Sequence, residues 1–396
     1  MTPDRLHHLL ATYRDGLLHD TVPFWIRHSV DREHGGYMFS VDRDGTIVDT
    51  DKAIWLQGRF AWLLATLYNT VERRQEWLDL AQSGVDFLLK HGFDQDGRMY
   101  FHVTRDGRPI RKRRYAFSES FAALAFSATA RATGNERLAE KAREMLHQFY
   151  HINTTPGLIP PKFTDTRPMK SIGFPMILIN TAREVLDTVG DPKGEQYVQY
   201  GIREIQKYFM KSEFEAVMEN VGSNGEFYDH FDGRILNPGH AIEAAWFVLH
   251  EGKVRKDDSL VSMGCTMLDW MWERGWDMEY GGILYFRDVK GLPVQEYWQD
   301  MKFWWPQSEA IITTLLAYAL TNDAKYAGWH QQIHDWTYAR FPDPDFGEWF
   351  GYLHRDGRIA NTLKGNLWKG GFHIPRMQLT CWKLLETMRP TITSTA

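Results

Sequence analysis

The chain has 396 residues with 43% hydrophobic content, enough for a large core, and a formal net charge of −5, which gives no basic footprint for nucleic acid. Two cysteines, Cys265 and Cys381, exclude a disulfide framework and a structural zinc site. No apolar run approaches the roughly 18 residues of a membrane span, and Met1-Thr2-Pro3-Asp4-Arg5 lacks a signal-peptide core, so the expectation is a soluble cytoplasmic protein with no membrane or nucleic-acid partner.

Taken from the N-terminus, short β-prone runs with a glycine turn alternate with helical stretches. Residues 36–41 turn at Asp44-Gly45, and the apolar run 60–67 and the amphipathic run 77–89 follow. Residues 99–103 turn at Asp106-Gly107 before an apolar run at 121–129 and an amphipathic one at 137–149. Asp-Gly between β-prone runs is a strong hairpin signal, because glycine takes positive φ at no steric cost. The next copy lacks its hairpin, near residues 164–170, but keeps its apolar helix at 176–189. Three more predicted hairpins follow: 226–230 turning at Asp232-Gly233, 283–286 turning at Lys290-Gly291, and 349–353 turning at Asp356-Gly357. Apolar helices at 244–250 and 311–320 lie between them, and the tail 389–396 is expected to fray.

The turn glycines are spaced by 62, 126, 58 and 66 residues, the second gap being two periods. Six modules of about 66 residues, each with one buried and one amphipathic helix, predict an all-α fold. The expected architecture is an (α/α)6 barrel of about twelve helices with short β-hairpins at one end. Without a linker rich in Pro, Gly or Ser, residues 1–396 read as one domain.

After each hairpin a titratable residue stands near the start of the next apolar helix. Arg59 follows its turn glycine by 14 residues, Glu119 by 12, His240 by 7, Glu309 by 18 and His373 by 16. In a closed barrel these five converge on one funnel; each taken alone also reads as a helix cap or a rim residue. In Asn237-Pro238-Gly239-His240, Asn237 is the expected N-cap and Pro238 the first helical residue. The helix dipole then favours a neutral His240, with Glu243 three residues on to orient the ring. His373 precedes Ile374-Pro375, where a helix should begin, and Gly370-Gly371 allow close approach of backbone to a ligand. Arg59 lies in an apolar segment and needs a partner, either Glu119 or Glu309, or a sugar oxygen that becomes anionic. No His-Glu-x-x-His, phosphate-binding loop or dinucleotide fingerprint occurs, so chemistry without a metal or redox cofactor is expected. The aromatic content, 16 Trp, 17 Tyr and 23 Phe, suits both a packed core and stacking on sugars.

At these residues the chain resembles the N-acylglucosamine 2-epimerases. The resemblance runs over nearly the whole length. It includes Lys52-Ala53-Ile54-Trp55-Leu56-Gln57-Gly58-Arg59, Asn237-Pro238-Gly239-His240, Lys302-Phe303-Trp304-Trp305-Pro306 and Lys369-Gly370-Gly371-Phe372-His373-Ile374-Pro375-Arg376. It implies an (α/α)6 barrel, interconversion of N-acetylglucosamine and N-acetylmannosamine, a homodimer, and ATP as an allosteric activator that is not consumed. It implies catalytic roles for His240, His373, Arg59 and Glu309, with His373 acting on the gluco epimer and His240 on the manno epimer. Glu243, Glu119, Trp55, Trp305 and Arg376 are the candidate sugar contacts.

The wider superfamily includes mannose and cellobiose 2-epimerases and aldose–ketose isomerases, so a D-mannose/D-glucose 2-epimerase is the alternative. The segment Ser171–Leu178 holds no histidine of the kind usual in the disaccharide and isomerase branches, while Gln307 departs from the mammalian Trp-Pro-His-Ser-Glu pattern. A glycoside hydrolase using Glu119 and Glu309 as its two carboxylates, and a sugar-binding barrel without catalysis, are the readings from other classes.

Overall fold

The structure, a computed structural model, describes residues 1–113 and 115–393. Its helices differ in how much of their circumference is apolar, and this sorts them into two rings. In chain order they are α1 (residues 3–29, with a π-helical stretch at Gly16–Thr21), α2 (Ile54–Thr70), α3 (Gln75–His91), α4 (Phe117–Thr133), α5 (Glu136–Thr154) and α6 (Gly173–Val189). Then come α7 (residues 194–209), α8 (Pro238–Arg255), α9 (Asp258–Gly275), α10 (Trp304–Thr321), α11 (Ala324–Tyr338) and α12 (His373–Thr393). α10 is buried without a break from Trp304 to Tyr318. α5 buries only the stripe Leu138, Ala139, Ala142, Met145, Leu146, Phe149 and Ile152. The even-numbered helices therefore pack side by side as an inner ring, and the odd-numbered ones cover them.

The ring closes where residues before α12 meet α2. Phe372 packs edge-on against Trp62 at 5.6 Å, and a Cβ on Gly371 would fall 2.7 Å from Phe60. The fold is the expected (α/α)6 barrel, with one change in the accounting of modules. The chain begins with an outer helix, α1, whose inner partner is the last helix, α12. Thr21 donates to Gln378 at 2.7 Å across this pairing. The sixth module is thus divided between the two ends of the chain. α12 runs through Thr393, so residues 389–393 are helical rather than frayed, and 394–396 lie outside the described residues.

All the strands lie in the connections from outer to inner helices. The hairpins turning at Gly45, Gly107 and Gly357 form as predicted, with φ of 92°, 90° and 90° at the glycine. Two others do not. Asp232-Gly233 belongs to a helical turn, Phe231–Arg234, capped by His230. The turn of that module is at Gly225 (φ 89°), with the strand Asn220–Gly222 paired to Met169–Ser171. A strand therefore occupies the stretch expected to have lost its hairpin. In the next module Arg287–Asp288 pairs back to Ile235–Leu236 instead of folding on itself.

A repeated clamp binds these connections together. In Asp31-Arg32-Glu33-His34-Gly35 the carboxylate of Asp31 receives Lys52 Nζ at 2.9 Å, and Arg105 donates to both its oxygens at 2.9 Å. Asp277 binds Lys302 at 2.8 Å and Arg355 at 2.9 and 3.0 Å. Asp343 binds Lys364 at 2.9 Å and Arg43 at 2.7 and 2.9 Å. Each lysine also donates to the carbonyl of the glycine four residues past its aspartate. The three ammonium groups are fully buried, and a buried cation is tolerable only when paired and hydrogen-bonded. Each arginine comes from an Arg-Asp-Gly hairpin turn and reaches the preceding module around the ring, so the clamps staple neighbouring connections to one another.

Tyr13 of α1 shares its hydroxyl with His330 Nε2 at 3.0 Å and His334 Nδ1 at 2.8 Å on α11. Burial and His334 depress the His330 pKa well below its ordinary value, and burial and Arg5 lower His334 to about 3. Both rings are neutral in the fold, whereas in the unfolded chain they take up protons near pH 6.5. Stability should therefore fall as the pH drops through that value, by up to about 1.4 kcal/mol per pH unit for each histidine. Urea denaturation at about pH 7.5 and about pH 5.5 measures this. The slope between them should shrink in a His330→Gln/His334→Gln variant; an unchanged slope would assign the acid sensitivity elsewhere.

Candidate active site

Three inner helices carry an ionisable side chain at their sixth residue: Arg59 on α2, Glu243 on α8 and Glu309 on α10. Equal depth in a ring of parallel helices puts them at one level. α12 adds His373 at its first position and Arg376 one turn later. Glu309 Oε1 is 2.7 Å from His373 Nδ1 and 2.6 Å from Arg376 Nη2, and Oε2 accepts from Trp246 Nε1 at 2.7 Å. Arg376 Nη2 also donates to Glu243 Oε1 at 2.6 Å. With its Nδ1 proton given to Glu309, the His373 ring keeps Nε2 as its free lone pair. Burial, with Arg376 and Arg59 nearby, pushes its pKa well below the ordinary value, so it is neutral at physiological pH.

His240 has the opposite character. Asn237 caps α8 by accepting from the His240 amide at 3.1 Å, and Pro238 is the first helical residue, as expected. The downward shift expected from the helix dipole is corrected to an upward one, because Glu219 Oε2 lies 3.0 Å from His240 Nδ1. Desolvation opposes the charge, but Glu219, with help from Glu243, overcomes it and raises the pKa. A carboxylate in contact outweighs a dipole contribution of about 1 kcal/mol. The ring is oriented by Glu219, not by Glu243, whose hydrogen bond goes to Arg376. The indole of Trp305 lies 5.0 Å from the His240 ring and 5.9 Å from that of His373. Gly239 makes this possible: a Cβ there would come 2.6 Å from the indole.

Arg59 is buried, and among the described residues it forms no ion pair. Its guanidinium is sandwiched by Trp55 at 4.1 Å, Phe121 at 4.1 Å and Phe372 at 4.5 Å. Burial pulls its pKa down to about 9, against the pull of Glu243 and Glu309. It stays charged at neutral pH, with carboxylates near but none in contact. Trp55 donates to the Leu367 carbonyl at 3.1 Å, which ties α2 to the segment before α12.

One further expectation changes. Glu119, placed at the funnel by its distance from a turn glycine, is the third residue of α4; its Oε1 accepts from Arg98 Nε at 2.8 Å and the Met99 amide at 3.0 Å, and it makes no hydrogen bond to the histidine cluster. A Cβ at Gly370 or Gly371 would press on Phe39 or Phe60, so both glycines serve the packing of those rings. Gln307 is fully buried and holds backbone, accepting from the Ile283 amide at 2.8 Å and donating to its carbonyl at 2.9 Å. Gln57 does the same to Tyr37. Glu219 and Trp246 were missed: neither belongs to a motif, and Glu219 sits in irregular backbone between two short strands.

Glu243, Glu309 and His373 have ligand atoms within 4.8 Å of one another, a set with the chemistry to hold a cation. Arg376 Nη2 already lies 2.6 Å from both carboxylates and supplies that positive charge.

A family profile described as N-acylglucosamine 2-epimerase (GlcNAc 2-epimerase) matches residues 36–374. N-Acylglucosamine 2-epimerase of Bos taurus is 38% identical over 381 residues, covering 93% of this chain and 89% of that protein. The Homo sapiens protein of the same name is 36% identical, covering 93% and 88%. Among solved structures, cellobiose 2-epimerase from Bacillus thermoamylovorans superposes with a TM-score of 0.82 at 19% identity, covering 95% of this chain and 99% of that one. A D-mannose isomerase superposes with a TM-score of 0.80 at 19% identity, covering 98% of each. At these identities the structural matches speak for the fold.

Proposed function

Because this chain belongs to the N-acylglucosamine 2-epimerase family, we propose that it interconverts N-acetyl-D-glucosamine and N-acetyl-D-mannosamine at C2 of the ring-opened sugar. The observation that carries the mechanism is the pair of imidazoles gathered at the Trp305 indole, 5.0 and 5.9 Å from it, each with Nδ1 on a carboxylate. One Nε2 removes the C2 proton, the electron pair moves onto the C1 oxygen, and the buried cation of Arg59 stabilises that oxyanion. The other imidazolium returns a proton to the opposite face of C2. The opposed pKa shifts suit a two-base scheme: burial drives His373 down and Glu219 drives His240 up, two titratable groups pushed apart by their surroundings.

The scheme uses side chains alone and assigns no step to a metal or redox cofactor. A homodimer with ATP as an allosteric activator belongs to the same proposal and rests on the family resemblance, while a cytoplasmic location rests on the sequence composition. No helix among the described residues is long and apolar enough to cross a membrane.

Proton NMR in D₂O tests the assignment, with N-acetylmannosamine and D-mannose offered separately. Deuterium should enter C2 of the N-acetyl sugar as its epimer appears. Exchange confined to mannose, with glucose forming, would replace the substrate by the free aldose; no exchange with either would remove the epimerase reading for these sugars.

A further inference from the structure

Glu348 stands out on its backbone. Three connections repeat the same loop, Asp31 to Tyr37, Asp277 to Ile283 and Asp343 to Trp349. In each, the aspartate carbonyl accepts from the residue four on, and the aspartate amide donates to the carbonyl of the residue five on. Both of those later residues have positive φ. In the first two loops they are glycines, Gly35-Gly36 at 75° and 67° and Gly281-Gly282 at 74° and 77°. In the third they are Gly347 at 79° and Glu348 at 54°. A glutamate in the left-handed region is uncommon and persists where the surroundings hold it there. This one is fully buried, with Oε1 2.7 Å from Lys369 Nζ and Oε2 accepting from Trp25 Nε1 at 3.0 Å.

The lysine it binds begins Lys369-Gly370-Gly371-Phe372-His373. Lys369 is itself fully buried and also donates to the Lys364 carbonyl at 2.7 Å. Two glycines between an anchored residue and a base give a segment with little conformational stiffness of its own. Neither can be replaced to stiffen it, since a Cβ would press on Phe39 at 3.0 Å or Phe60 at 2.7 Å. The equivalent points of the ring use another device. Gln57 and Gln307 stand five residues after Lys52 and Lys302 and hold the loop backbone directly. Five residues after Lys364 stands Lys369, which takes the Glu348 side chain instead. The exchange of glycine for glutamate and of glutamine for lysine occurs only in the loop that leads to His373.

We infer that Glu348 is a positioning residue for His373: its buried pair with Lys369 fixes the start of the Gly-Gly segment, so that the imidazole meets Glu309 with Nε2 directed to the sugar. Its kinetic arm rests on the epimerase reading; its spectroscopic arm does not.

The test is Glu348→Gln, which keeps size and an acceptor for Trp25 but removes the charge, compared with Glu348→Asp, which keeps the charge. Imidazole ¹⁵N NMR reads the His373 Nδ1 hydrogen bond, with His240 as the internal control. The Gln variant should shift the His373 signal and leave that of His240 in place. It should lower kcat by about 10²-fold, the scale of a small misplacement of a reacting group, with KM within about twofold. The Asp variant should recover part of both. Should Glu348→Gln fail to fold, Glu348→Gln/Lys369→Met, which leaves no stranded ammonium, takes its place with the same expectations. A folded variant with an unshifted His373 signal overturns the proposal, as does a loss seen equally at His240. Absence of epimerase activity in the unaltered protein would count against the proposed function alone, because the spectrum still decides the positioning.

Discussion

His373→Asn is expected to lower kcat/KM for both N-acetyl epimers by about 10²–10⁴-fold or more, yet to leave one partial reaction running. Asparagine retains an N–H for Glu309 but has no basic nitrogen. The remaining imidazole, His240, still faces one side of C2, so the variant should exchange the C2 proton of one epimer with D₂O without making the other. His240→Asn should exchange the proton of the opposite epimer. By the family resemblance, His240 should act on the manno sugar and His373 on the gluco sugar. Incubating each variant with each sugar and following C2–H loss and epimer formation separately gives four combinations. Two should exchange and none should epimerise at more than a small fraction of the normal rate. A single-histidine variant that epimerises normally would end the two-base scheme. Exchange of both epimers by the same variant would mean that one imidazole reaches both faces.

Arg59→Met should separate activity from stability in opposite directions. The guanidinium is buried between three aromatic rings with no ion pair. Its desolvation cost is therefore not offset by contact with an anion in the resting protein. An apolar side chain of similar length fits such a slot better, and replacing buried charge with packed hydrophobic groups is commonly stabilising by about 1–4 kcal/mol. The same change removes the cation that meets the developing oxyanion, so kcat should fall by about 10²–10³-fold. Denaturant unfolding and steady-state kinetics on one preparation read both effects. A variant that is less stable and still active would make Arg59 a structural residue whose compensation lies in Glu243 and Glu309.

The catalytic end of α8 was readable because capping is local: Asn237, Pro238 and His240 lie within four residues and obey rules of a single helix turn. The partner of His240 was not, since Glu219 reaches it across a tertiary contact from backbone with no period. Glu119 was misplaced because spacing was counted from the turn glycine. The count does not show which partner a side chain takes: Glu119 is the third residue of its helix, as His240 is of α8, but its carboxylate is held by Arg98 and the Met99 amide. Asp232-Gly233 misled for a different reason. That glycine is required by crowding, as a Cβ would lie 2.1 Å from the Tyr228 carbonyl, rather than by positive φ. The three Arg-Asp-Gly turns were seen only as turns, because the aspartates their arginines bind are 74, 78 and 300 residues away.

The division of the sixth module between α1 and α12 has a bearing on synthesis. As the chain leaves the ribosome, α1 emerges with Leu6, Leu9, Leu10, Tyr13 and Leu17 directed at surfaces made up to some 370 residues later. α11 reaches Tyr13 first, but the helix against which α1 chiefly packs is α12, the one that brings His373. A prematurely terminated product would therefore carry both an inactive site and an exposed greasy stripe, the kind of surface that chaperones and proteases recognise. Catalytic completeness and concealment from quality control are achieved in the same event.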